Sequence, residues 1–161
     1  MKITALEEYG LRCLIRVAEQ PEGEAIAAQN IAELEGLSLS YTQKIMRVLS
    51  AGGLVESVRG AQGGFYLTGT PETVTVGDAI RALGGFFGVE EICERHTGEL
   101  AECAHRGNCS IRPVWSYISR FVVETLDGVN LADLMRDETY LARHLEASLP
   151  RARGKLEEKR T

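Results

Sequence analysis

The stretch AQNIAELEGLSLSYTQKIMRVLSAGGLVESVRGAQGGFYL, residues 28–67, decides the fold. Its first part places Ile31, Ala32 and Leu34 at helical spacing and then offers Gly36, the residue best suited to a left-handed C-terminal cap. A helix is expected from Ala28 to Glu35, and only Leu37, Ser38 and Leu39 separate it from the next. The second helix is expected to begin at Ser40, whose spacing to Gln43 allows a capping box. Ile45, Met46, Val48 and Leu49 turn inward in this reading, leaving Tyr41, Thr42, Lys44 and Arg47 outward. Two short helices joined by a tight turn have the form of a helix-turn-helix. Beyond Gly52-Gly53, Leu54–Val58 and Phe65–Leu67 are rich in β-branched and aromatic residues and read as two strands. The basic, Gly-rich loop Arg59–Gly64 joins them, which makes the pair a hairpin wing.

Upstream, Ile3, Leu6, Gly10, Cys13, Leu14, Val17 and Ala18 recur at three- and four-residue steps, so Ile3–Glu19 reads as an amphipathic helix with Cys13 on its buried face. Downstream, Thr75 and Asp78 can cap a short helix through Ala79, Ile80 and Leu83 that stops at Gly84-Gly85. Ser110 and Pro113 mark a later start, followed by the wide apolar stripe Val114, Trp115, Ile118, Phe121, Val122 and Leu126, which ends at Gly128. Such a helix serves a partner subunit or the chain's own core. Asn130 caps a short helix, and a further one with Leu141, Leu145 and Leu149 ends at Pro150. The expected organisation is a winged helix-turn-helix at 1–74, a connecting helix at 75–87, an irregular cysteine-bearing loop at 88–112, a dimerisation helix with its short successor at 113–136, and a charged tail at 137–161. The fold class is mainly α with a small β-hairpin, α+β.

The chain has 161 residues, a formal charge of −5 and four cysteines. No apolar run approaches the roughly 20 residues needed to span a bilayer, and Met1–Thr4 lacks the start of a secretory signal. A cytoplasmic location without membrane contact is therefore expected, and there clustered cysteines point to metal or redox chemistry more often than to structural disulfides. Cys93, Cys103 and Cys109 are separated by nine and five residues. That spacing is too wide for paired zinc knuckles and unlike common ferredoxin runs. Three thiolates drawn together repel, so a cation or an iron-sulfur core would stabilise the segment. A fourth ligand is open on this evidence: His96, His105, or an acid from elsewhere.

Several motifs, in order, resemble one family: Leu6–Arg12, Leu37–Tyr41, Gly53–Val55, Val58–Gly60, Gly63–Leu67 and Val76–Ile80. From Met1 to about Met135 the chain resembles the winged-helix iron-sulfur-responsive transcription regulators typified by IscR and NsrR. The resemblance implies a homodimer, a cluster held by Cys93, Cys103 and Cys109, and binding to a double-stranded DNA operator that depends on cluster state. IscR-like members carry a His three residues after the third cysteine; here Arg112 stands there, and a guanidinium has no free lone pair to offer a metal. NsrR-like members use an acid near the N-terminus, delivered from the other subunit, and Glu8 occupies the matching position. The first inter-cysteine gap is longer than usual for the family, which leaves a two-iron and a four-iron cluster both open.

On DNA, Ser40, Tyr41, Thr42, Gln43 and Lys44 would lie at the entering end of the recognition helix. Gln43 could read adenine or turn back into the capping box. Lys44 and Arg47 suit phosphates, and Arg59, with Gly60 beside it at the wing tip, suits a narrow minor groove. Two other readings stay open: a cluster-free thiol-redox repressor using the same three cysteines, and a zinc-stabilised DNA-binding protein using them with His96 or His105. No phosphate-binding Gly pattern or catalytic-loop motif supports an enzyme, because Arg59–Gly64 lies within a hairpin and not between a strand and a helix.

Overall fold

A computed structural model of the chain describes residues 3–60, 63–85 and 89–148. The expected wing-tip residues Ala61 and Gln62 and the charged tail from Leu149 onward lie outside them. The element order is α1 (Ala5–Ala18), α2 (Ala28–Glu35), α3 (Leu39–Ala51), β1 (Val55–Val58), β2 (Gly64–Leu67), α4 (Val76–Ala82), α5 (Val89–Arg95), α6 (Arg112–Asp127), α7 (Leu131–Leu134) and α8 (Glu138–Ser148).

Local chemistry fixes most helix ends. Thr4 and Glu7 form a reciprocal capping box at the start of α1, as do Thr75 and Asp78 on α4 and Asn130 and Asp133 on α7. Each box satisfies two of the orphan amides of a first turn. Gly36 closes α2 in the left-handed conformation, at φ 66°.

The apolar faces of α1, α2 and α3 meet in one core of Cys13, Leu14, Val17, Ile31, Ile45, Met46 and Leu49. Cys13 is fully buried, and burial pushes its thiol up to about 11, so it is a core residue with no thiolate to offer at neutral pH. α4, which the sequence sets apart as a connecting helix, contributes Ala79 and, at its C-cap, Leu83 to this core, and α7 contributes Leu131.

Val55, buried, anchors the antiparallel hairpin, whose register pairs Val55 with Leu67 and Val58 with Gly64. A backbone bridge between Ile26 and Phe65, at 3.0 and 2.9 Å, pins the hairpin to the segment after α1. The bridge depends on Gly64: any Cβ there would overlap the Ile26 carbonyl, which is backbone and cannot give way.

Four expectations are corrected. The segment 88–112 is not wholly irregular, because α5 occupies Val89–Arg95 and packs against α6. The cap of α3 is Ser38, not Ser40: its hydroxyl accepts from the Tyr41 amide at 3.3 Å, and the helix starts at Leu39. Thr42 does not face outward but is fully buried beside Ile45 and Met46. Tyr41 is half-buried and meets Tyr9 edge-on, ring centroids 6.1 Å apart. Starting the helix at Leu39 lets Thr42 complete the buried stripe with Ile45, Met46 and Leu49.

No helix among the described residues is long and apolar enough to cross a membrane.

Candidate DNA-reading face and cysteine site

With Ser38 as the cap, the exposed residues of α3 are Leu39, Ser40, Gln43, Lys44 and Arg47 in its first three turns. At about 100° per residue they fall within one arc roughly 140° wide. They form a continuous stripe opposite the core. Gln43 no longer competes for a capping role, and its side-chain amide makes no hydrogen bond among the described residues. Arg47 lies along the helix, its Nε donating to the Gln43 carbonyl at 3.1 Å. A mixed stripe with a donor-acceptor amide, two cations and an apolar edge has the chemistry that reads base edges and holds phosphates.

Arg59 and Gly60 are exposed at the hairpin's end. Gly60 takes φ +125°, which a side chain would strain, and its carbonyl accepts the Gly63 amide at 2.9 Å. The hairpin thus holds Arg59 away from the body.

A buried carboxylate joins α1 to α2. Glu35, whose side chain is 4% exposed, accepts from Arg12 Nε at 2.6 Å and from Arg16 Nε at 2.5 Å. Burial pushes the Glu35 carboxyl up, but the hydrogen bonds from Arg16 and Arg12 outweigh it and hold its pKa below the usual carboxylate range. The Arg12 guanidinium also lies 5.4 Å from the Tyr9 ring centre, and Tyr9 contacts Tyr41 of α3. This clamp was not anticipated. The signal was a lone acid on the apolar stripe Ile31, Ala32, Glu35, which demands charged partners when buried.

At the start of α1 the two neighbouring acids differ. Glu7 is used by its cap, accepting the Thr4 amide, and packs against Gly85 at the entry to the cysteine segment. Glu8 is exposed, and its carboxylate accepts no hydrogen bond among the described residues.

Cys93, on α5, and Cys103 line one cavity of about 620 Å³ together with Glu94, Glu102, Arg106 and Arg112. Cys109 is half-buried and is not part of that lining. All three thiols are free. Arg112, at the first position of α6, donates from Nη2 to the Arg106 carbonyl at 2.9 Å, and Arg106 pairs with Glu102. His96 and His105 are exposed. Among the described residues, no three Cys, His, Asp or Glu side chains of one chain meet closely enough to hold a metal ion. In donor type the three thiols fit a soft iron-sulfur core. In number, one chain brings two of them, Cys93 and Cys103, to a shared cavity, and Cys109 lies outside its lining.

The sequence profile of the Rrf2 family, described as an iron-dependent transcriptional regulator, matches residues 3–137. The chain is 33% identical over 137 residues to protein rrf2 of Nitratidesulfovibrio vulgaris, which covers 85% of this chain and 89% of that one. Among solved structures it is similar to CymR, titled the global cysteine regulator of B. subtilis, at 31% identity and TM-score 0.67, over 85% of this chain and 99% of that one. It is also similar to T. potens IscR, at 29% identity and TM-score 0.62, over 93% of both chains.

Proposed function

The chain belongs to the Rrf2 family of iron-dependent transcriptional regulators, and from that premise we propose that it is a homodimeric, operator-binding regulator whose DNA affinity is set by an iron-sulfur cluster. Cys93, Cys103 and Cys109 would hold the cluster, and Glu8 delivered from the second subunit would be the fourth ligand. The observation that carries this reading is the division of labour between two adjacent acids. Glu7 is spent on the α1 cap beside the entry to the cysteine segment, while the exposed Glu8 carboxylate accepts no hydrogen bond among the described residues and has only the Arg12 charge, one turn on, acting on it.

When bound, the cluster supplies an oxidisable iron centre that oxygen, nitric oxide or iron shortage would alter or remove. The chain's own residues do the rest. Arg106 and Arg112, at the edge of the cysteine cavity, offset part of the negative charge of the thiolates and the carboxylate. α5 carries Cys93 and packs on α6. Arg81 of α4 bridges Asp78 at 3.1 Å and Asp127 at the end of α6 at 2.7 Å, so α6 is tied to the reading head. Order in the cysteine segment is thereby converted into the relative placement of two α3 helices, which must meet half-sites about one DNA turn apart. A coupling of roughly 1–3 kcal/mol, about 5- to 150-fold in operator affinity, is typical of such linkage.

Lys44 and Arg47 hold phosphates, Ser40 and Gln43 face base edges, and Arg59 with Gly60 enters the minor groove. Tyr41 and Thr42 are set behind this face.

The test is Glu8→Ala in anaerobically loaded protein. Losing a ligand should shorten the cluster's lifetime by at least about tenfold, in line with the effect of weaker changes around metal sites. The dimer should stay folded. An unchanged lifetime and spectrum removes Glu8 from the ligand set.

A second reading, a cluster-free thiol switch, is favoured by one observation: Cys93 and Cys103 share a cavity from which Cys109 is absent. Thiol titration before and after peroxide, with operator binding measured in parallel, separates the two.

A further inference from the structure

The sequence places Ser40 at the head of the recognition helix; the structure puts Leu39 there instead, one residue inside the Ser38 cap. Leu39 is 39% exposed, on a helix where Ile45, Met46 and Leu49 are fully buried and Val48 is half-buried against the core. It belongs to the exposed arc of Ser40, Gln43, Lys44 and Arg47, and it lies one turn before Gln43, on the same side of the helix. Exposure alone does not distinguish it, since Leu34 on α2 is 60% exposed; its place at the head of the polar arc does. An apolar side chain left in water at the leading end of a polar, cationic stripe fits one feature of the major groove, the C5-methyl of thymine, the only apolar group the base edges present there.

We infer that Leu39 is a specificity-determining residue that packs against a thymine methyl in each half-site, beside the base addressed by Gln43. This rests on the DNA-reading face proposed above and adds to it an apolar contact at a defined position. Ser38 is the positioning element: its hydroxyl fixes the first turn through the Tyr41 amide and stands 3.3 Å from the Ser40 hydroxyl, so Leu39 is held at the tip and not folded under it. The preference it creates is for T·A over C·G, and also for thymine over uracil, which differs by that one methyl.

The test starts from the full-length protein and a random duplex pool, from which bound sequences are enriched. Each thymine of the enriched duplex is then replaced singly by uracil, and affinity is measured for the native chain, Leu39→Ala and Leu39→Met. Burying one methyl is worth about fourfold in affinity. The native chain should lose about fourfold at one thymine per half-site. Leu39→Ala should bind the thymine duplex about fourfold more weakly and be indifferent to uracil at that position. Leu39→Met, which keeps an apolar tip, should retain the discrimination. Uracil tolerated at every thymine, or an unchanged discrimination in a folded Leu39→Ala protein, would overturn the inference while leaving the DNA-reading face intact. Failure to enrich any duplex would instead overturn the reading face itself, and Leu39 with it.

Discussion

Thr42 shows how one side chain separates packing from function. It stands between Tyr41 and Gln43 in the helix proposed to read DNA, yet it is fully buried and its hydroxyl has no partner among the described residues. An unpaired buried hydroxyl carries a desolvation penalty that an apolar group of the same shape avoids. Thr42→Val should therefore raise stability by about 1 kcal/mol, read as a shift in the urea midpoint, and leave operator affinity unchanged. A drop in affinity with no gain in stability would return Thr42 to the reading face. Glu35 behaves in the opposite way, because its buried charge is satisfied. Its native pKa is depressed, so its contribution is fully present above the unfolded value of about 4.3 and is lost as pH falls through the native value. Its arginine partners are 42% and 35% exposed, which tempers the cost of losing the charge. Glu35→Gln should cost about 1–3 kcal/mol at pH 7, less than a fully buried pair would. The gap between the two proteins should narrow as acid is added below about pH 4.3. A gap constant with pH would show that the carboxylate's charge is not what α1 and α2 share.

Elements whose signals are local were legible in the sequence. The Thr75/Asp78 arrangement, the Asn130 cap and the αL residue Gly36 each involve contacts within four residues, and their helices form where the sequence puts them. The hairpin was legible from its β-branched and aromatic runs on either side of a Gly-rich turn, a pattern confined to one short stretch. The start of α3 was not, because Ser38 and Ser40 are equally good caps and the choice between them is made by core packing of Thr42, Ile45 and Met46, which lies outside the local pattern. α5 was missed because Val89–Arg95 is mostly charged and has too few apolar residues to show a helical period. It is a helix that leans on α6, so a distant partner and not its own sequence stabilises it. At the cysteine site the residue types could be read, and the spacing limited the choice of metal centre. What could not be read was which thiols share a cavity, since that depends on α5, nor that Arg112 borders it.

Taken as a single chain, the molecule leaves a long helix uncovered. No residue of α6 is buried, and its N-cap Ile111 and Val114, Trp115, Tyr117 and Ile118 along its first half are exposed, while Asp127 at its end is tied to α4 through Arg81. In the homodimer proposed above, a second copy would cover this face. Trp115, 44% exposed in the single chain, is the large aromatic anchor such interfaces favour. Trp115→Glu should weaken the dimer by about 2 kcal/mol or more, roughly thirtyfold in dissociation constant. Sedimentation would show monomers at concentrations where the native chain is dimeric, with operator affinity falling alongside; a dimer unaffected by the charge would place the interface elsewhere. If the second subunit is also where the fourth ligand comes from, dimerisation and cluster binding are one event. The decisive measurement is a count of iron and sulfide per chain, with the visible absorption spectrum, on protein purified without oxygen. Iron and sulfide in equal, cluster-sized amounts with thiolate-to-iron charge-transfer absorption is the expected result. Full occupancy by zinc, or metal-free protein with three titratable thiols, would contradict it.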